Sequence, residues 1–366
     1  MRIGVDVREL QRGTQTGIGR VVENFISETP RIDPEARLFL YADKTTRSNL
    51  QGDRIEVRIL RQPATLWFDQ VALPMALAKD DVDVFFSPYY KAPLAAPCPS
   101  VITLHDVLFL RLGGRRIKNV LFKPWARIIA SRVARILTDS HHSRRDLENT
   151  LGFHSSRIEV IPLGVSSSFS PAARQSSRRV AQKLGLPQDY ILSVTNFRSH
   201  KNDGCLVRAF ADLATSEPHL KLVLAGRPAV STRELTALID RLGIGRRVLL
   251  PGLVADEDLP ALYAGARIFA FPSLYEGFGL PVLEAMACGV PVACSSTTSL
   301  PEVASGAALL LDPSDPRAWA EGLRRLLTEE PLREKLIGAG LARAGAYSWR
   351  ESATRILSVL EEASGK

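Results

Sequence analysis

The chain has 366 residues, of which 45% are hydrophobic and 23% charged, and its formal net charge is +8. This length predicts two domains rather than one core, and the composition excludes a disordered chain. No apolar run reaches the roughly 18 residues of a membrane-spanning helix, and the four cysteines have no metal-binding spacing, which predicts buried thiols in a reducing compartment.

The first residues place charged side chains around a short apolar core, a pattern that does not fit a signal peptide and predicts a cytoplasmic protein. Residues 2–7 are predicted to form a first parallel strand, and residues 21–27 a helix. Between them, Gly17 and Gly19 lie in the string T-G-I-G-R. Alone, G-x-G after a strand is a weak signal for phosphate binding, because the third glycine of the dinucleotide fingerprint is absent.

Apolar runs then recur between helical stretches and predict further strands of the first half. They are residues 38–41, 56–60, 82–87, 101–104, 136–138 and 157–163. The run 101–104 leads directly into His105. Ligands of open α/β sheets collect at the carboxyl ends of strands, so His105 is predicted to face a ligand site, with a purely structural histidine as the alternative.

The segment 111–135 contains eight basic residues and no acidic one, with apolar residues at roughly helical spacing. Such a segment is either a core helix with a solvated basic face or a peripheral contact with an anionic membrane. Pro124 argues against one straight interfacial helix. Nucleic acid is not expected as a partner, because the aromatic residues do not interleave with the basic ones as a stacking platform would need.

The second half repeats the alternation of strands and helices after a Ser-rich stretch, residues 166–177, that has the composition of a linker. Its predicted strands are residues 190–194, 220–225, 248–250, 267–271 and 290–294, with helices at 257–264 and 349–362. Two successive runs of this kind predict an α/β protein with two Rossmann-like domains rather than a barrel.

A glycine-rich loop follows the strand 267–271 and opens a helix in which Pro281 fits the first turn. Unpaired amides at such a helix start suit an anion. Glu276 and Glu284 frame the loop, and their spacing allows them to hold two parts of one extended ligand. Ordinary surface acids in a strand–helix turn are the alternative.

The string F-P-S-L-Y-E-G-F-G-L-P-V-L-E-A-M-A-C-G-V-P at residues 271–291 resembles the donor-site signature of retaining GT-B glycosyltransferases of the GT4 family. T-G-I-G-R, T-L-H-D and H-K-N resemble the glycine loop, the acceptor-side histidine and the diphosphate-binding lysine of that family. The resemblance implies a GT-B fold, in which two Rossmann-like domains face each other across a cleft. Residues 1–165 would bind the acceptor, residues 166–345 the nucleotide-sugar donor, and the helix at 346–366 would cross back to the first domain.

The resemblance also implies residue roles. Lys201 and Arg198 would neutralise the donor diphosphate, Glu284 would bind the ribose, Glu276 would lie beside the sugar, and His105 would bind the sugar or orient the acceptor. Lys201 is expected in an exposed loop. The other residues implied at the donor are Gly17, Gly19, Asn196, Val254, Gly277, Phe278, Gly279 and Leu280. No D-x-D motif lies in a suitable loop, so no metal or other cofactor is expected.

The implied activity is a metal-independent transfer that retains the anomeric configuration, in which the departing β-phosphate oxygen takes the acceptor's proton. The short motifs resemble bacterial mannosyltransferases of lipopolysaccharide and exopolysaccharide assembly, which favours GDP-mannose as donor. UDP-glucose or another UDP- or GDP-sugar is the alternative. The acceptor would be a saccharide or a lipid-linked saccharide, used at the inner face of the plasma membrane. A UDP-sugar epimerase and a non-catalytic nucleotide-sugar sensor are the competing hypotheses.

Overall fold

The computed structural model describes residues 1–11, 16–46, 52–108, 110, 117–229 and 232–365, and only the backbone of residues 117–122. The chain forms two compact units, one of Met1–Gly164 with Ser348–Lys366 and one of Val165–Tyr347. The domain boundaries predicted at 165/166 and 345/346 lie within two residues of these divisions.

The first unit contains a seven-stranded parallel sheet in the order β3-β2-β1-β4-β5-β6-β7. Its strands are β1 (Arg2–Asp6), β2 (Arg37–Ala42), β3 (Ile55–Ile59), β4 (Val84–Ser87), β5 (Ser100–Thr103), β6 (Arg135–Thr138) and β7 (Ile158–Val160). Its helices are α1 (Gly17–Ile32), α2, α3 (Ile117–Arg132), α4 (His141–Leu151) and, at the end of the chain, α13 (Trp349–Ser364). Helix α2 is continuous through Thr65–Trp67, a π-helical turn Phe68–Ala72 and Leu73–Lys79.

Two apolar layers cover the faces of this sheet. One is formed with α1 and α13, which pack against each other, and the other with α2, α3 and α4. Since both faces are covered, the strands read as nearly continuous apolar runs, which is why the sequence predicted them.

Helix α3 contributes Ala126, Ile129 and Ala130 to the second layer, whereas Arg127 and Ile128 are exposed. From residue 123 onward, α3 is therefore a core helix with a solvated face. Residues 111–116 and the side chains of residues 117–122 lie outside the described part of the chain, so a membrane contact there stays a prediction. No described helix is long and apolar enough to span a bilayer.

The π-helical turn of α2 directs two consecutive side chains at Arg8. The guanidinium carbon of Arg8 lies 3.8 Å from the centre of the Phe68 ring. The Asp69 carboxylate accepts a hydrogen bond of 2.6 Å from the same guanidinium. Arg8 also donates to Asp6 at the end of β1, so this turn joins α2 to the first strand.

The second unit contains a six-stranded parallel sheet in the order β10-β9-β8-β11-β12-β13. Its strands are β8 (Tyr190–Val194), β9 (Lys221–Ala225), β10 (Val248–Gly252), β11 (Ile268–Phe271), β12 (Val292–Ser295) and β13 (Leu309–Leu311). Its helices are α5 (Ser177–Lys183), α6 (Asp203–Ser216), α7 (Thr232–Arg241), α8 (Leu259–Gly265), α9 (Leu280–Ala287), α10 (Leu300–Ala304), α11 (Pro316–Thr328) and α12 (Glu330–Gly345).

The stretch predicted as a linker, residues 166–177, is structured. It contains a 3-10 helix, Pro171–Ser176, and the first residue of α5. Phe169 is buried, with its ring 5.7 Å from that of Tyr263. The linker prediction failed because Ser and Pro are as common in capped short helices as in linkers, and one aromatic contact is enough to anchor the segment.

Each sheet has a point at which the strand order reverses. In the first unit the chain moves from β1 to β2 and β3 on one side and then returns to β4 on the other side of β1. In the second unit it does the same around β8, with β9 and β10 on one side and β11 on the other. The loops leaving the two strands at such a switch point diverge, and the crevice between them is where open α/β sheets bind ligands.

Candidate functional site

Lys201 and Glu276 meet at the switch point of the second unit. Lys201 ends the 3-10 turn after β8, and Glu276 lies in the loop after β11. Lys201 Nζ donates to Glu276 Oε1 at 2.6 Å, and the two side chains are only 12% and 15% exposed. The ammonium also lies 4.7 Å from the centre of the Phe271 ring. The loop is exposed at Asn196 and Arg198, as predicted, but the Lys201 side chain is not, because a carboxylate and an aromatic ring enclose its ammonium group.

The Glu276 carboxylate and backbone are held by hydroxyl groups. Ser273 Oγ donates to Glu276 Oε1 at 2.6 Å, so this oxygen accepts from both Ser273 and Lys201. The Glu276 amide donates to Thr298 Oγ1 at 3.2 Å, and Ser299 Oγ donates to the Glu276 carbonyl at 2.9 Å. The carboxylate is therefore held in place before a ligand binds, through the two hydrogen bonds that Oε1 accepts.

Further hydrogen bonds join the loops after β8 and β11. The Leu274 amide donates to the His200 carbonyl at 2.7 Å, and Ser273 Oγ lies 3.0 Å from the same oxygen. Asn202, at a left-handed φ of 56°, donates its side-chain amide to the carbonyls of Pro272 and Pro313. These bonds fix the separation of Lys201 from Glu276.

A third loop, after β9, packs against the loop after β8 at Gly226. This glycine has a φ of 156°, and a Cβ placed on it would lie 1.6 Å from the Thr195 carbonyl oxygen. Thr195 Oγ1 in turn donates to Asp203 and accepts from the Phe197 amide. Burial raises the pKa of Asp203 to about 6, against the opposing effects of the Thr195 hydroxyl and the Lys201 charge. Thr195 and Asp203 thus shape the turn that presents Arg198 and Lys201.

The glycine-rich loop ends at Gly279, the residue that precedes α9. Its φ is 117°, and a Cβ there would meet Leu300 at 2.6 Å, so both conformation and space require glycine. Gly279 has no side chain with which to cap α9. Pro281 has no amide hydrogen, and the Val282 amide donates to the Gly279 carbonyl at 2.9 Å, so a ligand at this helix start would meet the Leu280 amide. Phe278 and Leu280 are buried beside it, as is Val254 near the end of β10. Asn196 and Arg198 are exposed.

Glu284 lies deeper than the other predicted donor residues. It is 2% exposed on the second turn of α9, and Tyr263 donates its hydroxyl to Glu284 Oε2 at 2.9 Å. Burial of a carboxylate costs free energy unless hydrogen bonds compensate for the lost water, and the Tyr263 hydroxyl supplies such a bond. Sequence reasoning missed Tyr263, because it lies in an apolar helix and its partner is 21 residues away.

His105 follows β5 in the first unit, and both of its ring nitrogens are engaged. Nδ1 lies 2.7 Å from Asp139 Oδ2, and Nε2 lies 2.9 Å from the Pro88 carbonyl oxygen. Since both partners are acceptors, both nitrogens donate and the ring is an imidazolium. Burial lowers the pKa of His105, but the charge and hydrogen bond of Asp139 and the Pro88 carbonyl outweigh it and raise the pKa to about 8.

This pairing predicts a pH-dependent stability. The folded-state pKa of His105 lies above its ordinary value, so the bound proton stabilises the fold fully below pH 6.5, and that contribution is lost as the pH rises through about 8. The loss should reach about 2 kcal/mol. Urea unfolding of wild type and His105→Gln between pH 6 and 9 measures it. The variant should lack this part of the pH dependence, and identical profiles would contradict the assignment.

The predicted residues divide between the two units. Asn196, Arg198, Lys201, Val254, Glu276, the residues 277–280 and Glu284 belong to the second unit, whereas Gly17, Gly19 and His105 belong to the first. In the first unit, the Gly19 amide donates to Thr16 Oγ1, which caps α1. Residues 12–15 of the loop before it lie outside the described part of the chain.

Two family models match the chain, one to each half. The model described as Glycosyltransferase Family 4 matches residues 16–169. The model described as Glycosyl transferases group 1 matches residues 176–343. Together they account for most of both units.

Two curated relatives are identical to this chain at slightly more than a third of the aligned positions. One is an O-antigen chain mannosyltransferase B from Escherichia coli, 38% identical over 61% of this chain and 59% of the relative. The other is a D-inositol 3-phosphate glycosyltransferase from Salinispora arenicola, 34% identical over 66% of this chain and 58% of the relative. The chain thus spans less than two thirds of the length of these relatives.

Solved structures match the chain over nearly its full length. A sucrose-phosphate synthase from Thermosynechococcus elongatus aligns with a TM-score of 0.82 and 20% identity, covering 99% of this chain and 98% of that one. Anabaena Alr3699/HepE, solved in complex with UDP and glucose, aligns with a TM-score of 0.79 and 21% identity, covering 99% and 100%. At these identities the likeness establishes the fold, which is the predicted GT-B fold with two Rossmann-like sheets.

Proposed function

Since the chain belongs to the glycosyltransferases that combine a Glycosyltransferase Family 4 domain with a Glycosyl transferases group 1 domain, we propose that it transfers mannose from GDP-mannose to a saccharide acceptor, with retention of the anomeric configuration. The observation that carries the proposal is the enclosed Lys201–Glu276 pair at the switch point of the second unit. The mannosyltransferase relative supports the choice of sugar, and UDP-glucose is the alternative donor.

The donor diphosphate would lie at the start of α9 beside the Leu280 amide, with Lys201 and Arg198 as its cations. Lys201 is already held by Glu276, so the β-phosphate would share an ammonium group that is in place before the donor binds. Such preorganised charge stabilises the leaving nucleotide without rearrangement at the transition state.

The sugar would lie beside Glu276, whose Oε2 edge accepts a sugar hydroxyl and opposes the positive charge that grows at the anomeric carbon. The bond from the anomeric carbon to the β-phosphate oxygen breaks, the acceptor oxygen bonds to the same face, and its proton passes to the β-phosphate. Glu284, steadied by Tyr263, would accept hydrogen bonds from the ribose hydroxyls.

No metal ion enters this scheme. The described residues contain no group of three His, Cys, Asp or Glu side chains that could hold one, and the cationic pair supplies the charge that a metal ion would otherwise provide. An acceptor on a polysaccharide chain fits the proposal, since one relative is named an O-antigen chain mannosyltransferase. Contact of residues 111–135 with an anionic membrane is part of the same proposal.

Free nucleotide released from a panel of nucleotide sugars tests the proposal, with and without a mannosylated acceptor and with and without EDTA. We expect GDP from GDP-mannose, dependent on acceptor and unaffected by EDTA. Activity lost with EDTA and restored by Mn²⁺ would contradict the role of Lys201 and Arg198 as the only cations. Release of nucleotide or an epimerised sugar without acceptor would indicate an epimerase, and binding without turnover a sensor.

The two glutamates should respond differently to substitution. Glu284→Ala is expected to weaken GDP and GDP-mannose equally, by up to ~1.5–3 kcal/mol for each ribose hydrogen bond. Glu276→Gln should leave GDP affinity nearly unchanged and lower kcat, because the charge it opposes exists fully only at the transition state. Calorimetry with GDP and UDP, together with steady-state rates, measures both effects.

Tyr263→Phe is the matched control for Glu284, because it removes the 2.9 Å hydrogen bond and leaves the carboxylate. It should retain most of the nucleotide affinity. If Glu276→Gln loses GDP binding while Glu284→Ala keeps it, the donor lies in the opposite direction along this loop and helix.

A further inference from the structure

Helix α2 turns an apolar face to solvent. Residues 62–78, all of them described, contain one charged side chain, Asp69, which is buried and bonded to Arg8. A surface helix of a globular protein normally carries charged residues on its outer face. The large side chains that α2 exposes are instead apolar, namely Leu66, Trp67, Val71 and Met75.

The exposed apolar side chains of the protein are concentrated at this face. Of the eleven large ones exposed in the described part of the chain, five lie within residues 59–75, the fifth being Ile59 at the end of β3. Ile59, Pro63 and Trp67 line a groove of about 720 Å³ beside the start of the helix. Single exposed apolar residues are normal, but a cluster of this kind marks an interaction surface.

The lack of charge within residues 62–78 favours a protein surface over a bilayer as the partner. Helices that lie on membranes carry Lys or Arg on a polar face that stays among the headgroups. The opposite face of α2 instead places Phe68, Leu73 and Leu77 in the core of the first unit. An uncharged face also suits a second copy of this chain, because a two-fold contact brings each residue near its own equivalent and would set like charges against each other.

The area of the face is close to that of a stable dimer interface. Roughly 100 Å² is exposed on each of the five large side chains, about 500 Å² together. Smaller exposed residues extend the face, namely Pro63, Ala64, Thr65 and Ala78. The total therefore approaches the ~800 Å² that each partner contributes to a standard interface.

Val71 lies at the centre of the face, between Leu66 and Met75. If α2 pairs with its equivalent in antiparallel orientation about Val71, Met75 of one copy lies opposite Trp67 of the other, and a thioether against an aromatic ring is a favourable contact. Charges of both signs flank the face at each end, so that antiparallel pairing can oppose them. They are Asp43, Lys44 and Arg61 before the helix, and Lys79 and Asp81 at its end.

We infer that the chain forms a two-fold dimer through antiparallel α2 helices centred near Val71. The inference goes beyond the proposed function and does not depend on it, because neither the donor nor the acceptor role uses the outer face of α2.

Sedimentation velocity on the whole protein, over a range of concentrations, tests the inference. We expect a monomer–dimer equilibrium with a Kd in the micromolar range or tighter. Met75→Glu and Leu66→Glu each place a new charge near its equivalent or within an apolar contact, so each should raise this Kd by more than about tenfold. Leu253→Glu is the matched control, since Leu253 is 61% exposed but belongs to the second unit, and it should leave the dimer intact. Circular dichroism shows that each variant is folded.

Oxidative cross-linking tests the orientation of the helices. Val71→Cys should form a disulfide between copies, because Val71 lies beside its equivalent. Met75→Cys should not, because its equivalents would be about 12 Å apart along the antiparallel pair. Wild type gives the background, since burial raises the pKa of Cys98 to about 12 and the other three cysteines are buried.

Three results would overturn the inference. They are a monomer at concentrations well above the micromolar range, a dimer that both glutamate variants retain, and a dimer whose Val71→Cys form does not cross-link. Flotation with phosphatidylcholine vesicles distinguishes the remaining occupant of the face. A monomeric protein that binds such vesicles and loses this binding in Met75→Glu would have a bilayer, and not a second copy, as the partner of α2.

Discussion

Lys201→Ala is expected to lower kcat/KM for the nucleotide sugar by about one and a half to three orders of magnitude, or ~2–4 kcal/mol. The ammonium of Lys201 is enclosed by Glu276 and Phe271, so it is held in place before the donor arrives. Loss of one preorganised group of this kind has a larger effect than loss of a mobile surface charge.

Steady-state rates on Lys201→Ala and on the double variant Lys201→Ala/Glu276→Gln separate catalysis from stability. The single variant removes one hydrogen-bond donor from the half-buried Glu276 carboxylate and should lose stability. The double variant also removes the negative charge of Glu276, so it should regain stability but remain inactive. Lys183→Ala is the control, because it breaks another lysine–carboxylate pair of the second unit, the one with Asp258 at 2.5 Å. Full activity in the double variant would contradict the role of Lys201.

Gly226→Ala should destabilise the second unit by about 3–5 kcal/mol, among the largest effects of single substitutions. The added Cβ would lie 1.6 Å from the Thr195 carbonyl oxygen, and both groups belong to backbone that cannot move independently of β8 and β9. Because Thr195 begins the turn that carries Lys201, Gly226→Ala protein that still folds should also lose activity.

Gly306→Ala is the control that separates the cost of a positive φ from the cost of a steric contact. Gly306 has a φ of 82°, and nothing lies within 4 Å of its added Cβ, so the substitution should cost only about 1–2 kcal/mol. Urea unfolding of both variants, with donor turnover measured in parallel, gives the comparison. Equal loss of stability in the two variants would show that the contact of Gly226 with Thr195 is unimportant.

The sequence predicted the strands of both sheets except β13, because a parallel sheet covered on both faces consists of short, nearly continuous apolar runs. It also singled out Lys201, Glu276 and Glu284 as candidates, since each lies in the loop after a predicted strand or about one turn into the helix that follows. Their family resemblance then supplied roles that spacing alone left open.

The environments of these residues were not predictable in the same way. Lys201 is enclosed by a carboxylate 75 residues further along the chain, and the protonated ring of His105 is stabilised by Asp139, 34 residues away. Such pairs depend on which strands are neighbours in the sheet, and local sequence carries no information about that order. The linker prediction at residues 166–177 failed for a related reason, since the anchor of Phe169 is the distant Tyr263.

The π-helical turn Phe68–Ala72 makes the residue count of α2 part of the charge network at β1. A π turn contains one residue more than an α turn, and each residue advances an α-helix by about 100°. A homologue lacking one residue here would carry an ordinary α-helix and would rotate the Asp69 position away from Arg8, leaving Asp6 to balance the guanidinium alone. A single-residue gap within this helix in an alignment would therefore mark proteins in which the charge network around Arg8 is built differently, even where Asp6 and Arg8 are present.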